Sequence, residues 1–158
     1  MNSATLIGKF ILWSALAGGF GAAAMLLVLW LFTVSGLAKV RLVIAVGSLL
    51  TRSYEKAALV GGCVHVTLAV FFGQIYTWVL IAIGHPGIGA SMLWGATLGM
   101  FQGLVMSLIL IAAVAEAHPL EEFQQRSFAI ALSNWVAHVF YGLVVGAVIG
   151  ASGLIVAQ

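Results

Sequence analysis

Four stretches of 25 to 28 residues, 10–34, 57–83, 91–115 and 128–155, contain no Asp, Glu, Lys or Arg, and they decide what this chain can fold into. Hydrocarbon offers the backbone no hydrogen-bonding partner. An apolar run of about 20 residues therefore crosses it as a helix that satisfies its own N–H and C=O groups. The expected fold class is all-α: an integral membrane four-helix bundle, with one transmembrane domain over residues 1–158. The charge content agrees, at 6 % against about 25 % in soluble domains.

The segments between the runs refine this picture. Residues 37–56 hold an apolar piece, Leu42 to Leu50, that is too short to span and is bracketed by Lys39, Arg41, Arg52 and Lys56. An interfacial or re-entrant segment at the headgroups is expected there, between the first and second spans. Residues 84–90 (GHPGIGA) read as a tight turn, with His85 at the interface. His118-Pro119 ends the third span, and Pro119 with Glu121 and Glu122 fits the first turn of a new helix. Lys9 and Ala15-Leu16-Ala17 resemble parts of a cleavable signal. The apolar run between them is too short, so residues 1–9 read as a short tail on a retained helix.

Lys39, Arg41, Arg52, Lys56 and Arg126 fall in loops on one side, and only Lys9 falls on the other. The positive-inside rule puts those loops in the cytoplasm and both termini outside it, in a bacterial inner membrane. Nucleic acid is excluded as a partner, because no basic patch exists to neutralise phosphates. Cys63 is the sole cysteine, so no intramolecular disulfide is possible. There is no Asp, no HExxH, no phosphate loop and no CxxC, hence no catalytic constellation.

Each run carries small residues at every fourth position. They are Ala15, Gly19 and Ala23 in the first, and Gly61, His65, Ala69, Gly73 and Thr77 in the second. The third has Ser91, Gly95, Gly99, Gly103 and Ser107; the fourth has Asn134, His138, Gly142, Gly146 and Gly150. Such spacing lets backbones approach closely, so Gly61, Gly73, Gly95, Gly99, Gly103, Gly142, Gly146 and Gly150 are expected to pack helix on helix. His65 and His138 lie roughly 12–16 Å from the same side by the helical rise. Ionisable groups at that depth are functional candidates. Three readings stand open. The histidines hydrogen-bond across helices; they ligate haem b axially, or a metal together with Glu116 and His118; or they line a proton path or a quinone headgroup site.

Val43-Ile44-Ala45-Val46-Gly47-Ser48, Val64-His65, Gly95 to Gly103, His118-Pro119 and His138-Val139-Phe140-Tyr141-Gly142 span most of the chain. In these elements it resembles a family of small bacterial four-helix membrane proteins that form a domain of unknown function. The resemblance implies the same fold and brings no activity, cofactor or substrate. The functional expectation is an accessory or structural subunit in a larger assembly, respiratory or photosynthetic. Its partners would be the lipid bilayer and other membrane subunits or further copies of itself. The alternatives are a haem- or metal-binding electron carrier using His65 and His138, and a small oligomeric transporter or channel.

Overall fold

The computed structural model describes residues 2–84, 87–124 and 127–155. His85 and Arg126, read above as a turn residue and a loop cation, lie outside the described residues. Among the described residues every regular element is helical. The elements are α1 (Ser3–Val34), α2 (Leu42–Thr51), α3 (Ala57–Ile83) and α4 (Ile88–Ile109), then a π turn (Leu110–Val114) leading into α5 (Ala115–Ala117). A 3-10 turn (Glu121–Phe123) precedes α6 (Phe128–Ala151). Four helical stretches are long and apolar enough to cross a membrane: Ser3–Val34, Ala57–Ile83, Ile88–Ala117 and Phe128–Ala151.

Several boundaries differ from the sequence reading, each for a local reason. α1 starts at Ser3, not near residue 10, because Asn2 caps it by accepting from the Thr5 N–H at 2.9 Å. Residues 3–9 are thus helix and not a tail. The third run begins at Ile88, directly after Gly87, whose φ of +107° stops the chain from being helical there. α6 stops at Ala151, and Gly153 with φ +73° turns the chain out of the helix. Among the described residues between Pro119 and α6 there is one 3-10 turn, and the Leu120 N–H before it is bonded to the His118 ring at 3.0 Å.

The helices pack in the order α4, α6, α1, α3, α2, and α3 meets α4 only sparsely. Glycines set the close contacts. A Cβ added to Gly142 would run into the Gly95 carbonyl, one on Gly99 into the His138 carbonyl, and one on Gly146 into the Ser91 carbonyl. Gly103 lies against His138 and Trp135, and Gly150 against Ile88 and Ser91. Gly47 and Gly61 bring α2 onto α3, and Gly73 seats α3 on α1, where its Cβ would be 2.7 Å from the Ser14 carbonyl.

The rotation of α1 corrects the stripe of Ala15, Gly19 and Ala23. The structure buries Ser14, Gly18, Gly21 and Ala22, while Gly19 and Ala23 are exposed. Two contacts impose this. Gly18 takes the backbone of Ala69 and Val70, and Gly21 takes the ring of Tyr141, both sites where a side chain would collide.

Candidate functional site

Where α3 and α4 stand apart, a cavity of about 260 Å³ remains. α2 forms one wall with Leu42, Val43, Val46 and Leu49, the apolar face of a short helix. α1 contributes Met25 and Leu29; α3 contributes Val64, His65, Leu68, Ala69 and Phe72. α4 contributes Gln102, Met106 and Ile109, followed by Leu110 of the π turn, and α6 contributes Asn134, His138 and Tyr141. π turns inside α-helices recur at functional sites, and this one borders the cavity. None of the lining residues carries a formal charge.

The polar groups of the cavity are fixed by a chain of hydrogen bonds whose directions can be deduced. The Ser107 hydroxyl donates to the Ala131 carbonyl at 2.9 Å. Its oxygen therefore accepts from Asn134 Nδ2 at 3.1 Å, which leaves Asn134 Oδ1 as an acceptor for the cavity. His138 Nδ1 lies 2.8 Å from the Asn134 carbonyl, and because a carbonyl only accepts, Nδ1 carries the proton. Nε2, the nitrogen away from its own helix, then bears a lone pair and has no hydrogen-bond partner among the described residues. His138 is 94 % buried, being only 6 % exposed.

His65 is brought to the same cavity, half-buried, with Nε2 at 3.5 Å from the Ala22 carbonyl of α1. Tyr141 donates to the Ala69 carbonyl at 2.6 Å and meets Tyr76 edge-on, ring centroids 5.5 Å apart. Tyr76 in turn donates to Gln102 Oε1 at 2.6 Å, tying α3 to α4 at one end of the gap. The two histidines thus share a cavity but are not set up as an axial pair for haem b. His65 turns Nε2 toward α1. The volume also argues against a macrocycle, because a cavity of about 150 Å³ is filled by a single benzene ring, and four linked pyrroles need several times that room.

At the metal candidates Glu116 and His118 the geometry is that of a hydrogen-bonded imidazole. His118 is 2 % exposed and uses both ring nitrogens. Nε2 donates to the Ala45 carbonyl at 2.9 Å, near Ser48 Oγ at 3.4 Å, and Nδ1 accepts from the Leu120 N–H at 3.0 Å. It is a clasp that holds α2 against the segment after α5, and no ring lone pair is left for a metal. Glu116 is exposed, and no group of three His, Cys, Asp or Glu side chains converges among the described residues.

A second, more polar cavity of about 420 Å³ lies beside the clasp, lined in part by Lys39, Arg41, Glu122 and Phe123. Arg41 is paired with Glu122 at 3.0 Å and lies about 6 Å from the Tyr54 and Phe123 ring centres. Glu122 also accepts from the Tyr54 hydroxyl, which raises that phenol above its ordinary value.

Sequence reasoning picked out the two histidines. It missed the acceptor role of Asn134 and the part played by Met25, Phe72 and Met106. One signal was present: Gln102 and Met106 are four apart and adjoin Gly103, so they occupy the helix face next to the glycine stripe. No protein-family model, curated protein or solved structure matches this chain.

Proposed function

We propose that the chain is an integral membrane protein that binds a small lipophilic ring compound, admitted from the hydrocarbon between α3 and α4. The observation that carries this is the apolar cavity behind that gap, with the unpartnered His138 Nε2 at its wall. Concave, mostly apolar sites with a few converging polar groups are the usual form of small-molecule sites. The membrane setting is supported by four helical stretches of sufficient length and hydropathy, and α2 fits an interfacial segment. By the asymmetry of basic residues, the loops holding Lys39, Arg41, Arg52 and Lys56 face the cytoplasm of a bacterial inner membrane, with both termini outside.

An accessory-subunit role is the second reading. Many glycines are used within the bundle, those of α4 and α6 against one another and Gly18, Gly47, Gly61 and Gly73 among α1, α2 and α3. Gly8, Gly19, Gly62 and Gly89 face open space where another helix could pack. The ligand-binding reading is tested with an alkylphenyl diazirine in detergent or nanodiscs, mapped by mass spectrometry. Labels should concentrate on Leu68, Phe72 and Met106. Labels spread evenly over exposed residues such as Leu93 and Phe101 would overturn it. Orientation is tested with Gln124→Cys in a Cys63→Ser background. A thiol reagent that cannot cross the membrane should label it only after the cytoplasmic side is opened, and labelling of intact cells would reverse the topology.

A further inference from the structure

We infer that the cavity selects a neutral aromatic ring bearing hydroxyl donors, a phenol or hydroquinone, over the same ring with its oxygens as ethers or carbonyls. The inference rests on the ring-binding reading above and adds the chemistry of the head. Neutrality follows from the lining, which offers no charged side chain to match an ionic ligand. Size follows from the volume. About 260 Å³ exceeds the need of a bare benzene, about 150 Å³, by room for small substituents. The thioethers of Met25 and Met106 and the rings of Phe72 and Tyr141 are surfaces that favour a flat aromatic partner.

Preference for donors follows from the hydrogen-bond directions. His138 Nδ1 must donate to the Asn134 carbonyl, so Nε2 can only accept. Ser107 spends its proton on the Ala131 carbonyl, so Asn134 must turn its amide NH₂ to Ser107 and its Oδ1 outward. If His65 donates Nε2–H to the Ala22 carbonyl, its Nδ1 is an acceptor as well. Tyr141 has given its proton to the Ala69 carbonyl. The side-chain donors left at the cavity are the Gln102 amide, whose oxygen is held by Tyr76, and the second N–H of Asn134. Neither is on the His138 ring, where Nε2 is an acceptor. A hydroxyl satisfies His138 Nε2. A carbonyl or ether oxygen placed there sets lone pair against lone pair in an apolar site, where a mismatch is costly.

The test uses the purified full chain in nanodiscs and three probes sharing one tail: decyl-1,4-hydroquinone under anaerobic conditions, its dimethyl ether, and decyl-1,4-benzoquinone. Equilibrium affinities are read by tryptophan fluorescence. The hydroquinone should bind roughly tenfold tighter than either of the others, the worth of one well-made hydrogen bond. His138→Leu should bring the hydroquinone down to the level of the ether and leave the ether's affinity unchanged. The comparison among ligands on the unaltered chain stands even if that variant fails to fold. Equal binding of all three, or tighter binding of the quinone, overturns the donor preference and leaves ring binding intact. Binding of none of them overturns the ring-binding reading itself and the preference with it.

Discussion

α4 meets α6 on one side and α3 on the other, and the two contacts are opposites. Toward α6 it presents Ser91, Gly95, Gly99, Gly103 and Ser107, and backbone lies on backbone with no room for a methyl group. Toward α3 it presents Gln102, Met106 and Ile109, longer side chains that hold the helices apart, and the cavity forms between them. One helix thus carries a closing face and an opening face about a quarter turn apart, since Gln102 and Met106 each stand one residue before a member of the small-residue stripe, Gly103 and Ser107. Dispersion gained by close approach makes the first contact tight. The second contact is tied by the Tyr76–Gln102 hydrogen bond and otherwise left for something to enter.

That contrast predicts a graded set of effects. Gly142→Val forces a branched side chain onto the Gly95 backbone, so a loss of about 3 kcal/mol or more is expected, read as a large fall in melting temperature. An unchanged melting temperature would mean α4 and α6 are not in backbone contact. His118→Ala orphans the Ala45 carbonyl and the Leu120 N–H and leaves a void, for an expected loss of about 2–3 kcal/mol. The loss should come with faster hydrogen exchange in α2, and normal protection there would rule out the clasp. Tyr76→Phe removes the tie across the open side and should cost about 1 kcal/mol while loosening ligand selectivity little. Gly62→Ala, with nothing within 4 Å of the added Cβ, should be neutral or stabilise by up to about 1 kcal/mol through helix propensity. Marked destabilisation there would place an unrecognised helix against that face.

The spans and the glycine contacts of α4 and α6 were legible in the sequence because both are periodic. Apolar length forces a helix, and glycines at fours mark where a backbone approaches. The rotation of α1 was not, because Ala15, Gly19 and Ala23 have the same spacing as the buried Ser14, Gly18 and Ala22. Only the Tyr141 ring and the Ala69 backbone, from other helices, choose between them. His118 read as a ligand candidate because sequence shows an imidazole near a glutamate but not the Ala45 carbonyl that takes its proton. The depth of His65 and His138 was readable from helical rise. That they share a cavity walled by α2 was not, since a cavity is made by what side chains fail to fill.

The central claim is that this cavity is a ligand site and not a packing gap, and the affinity of a ring ligand for Val46→Trp tests it most directly. Val46 stands on α2 at the cavity wall. An indole there fills the space without touching His138's bond to Asn134 or the glycine contacts between α4 and α6. The account predicts that decyl-hydroquinone binding weakens by about tenfold or more, at least 1.4 kcal/mol, with the helix content retained. Binding undiminished by the filled cavity would contradict it.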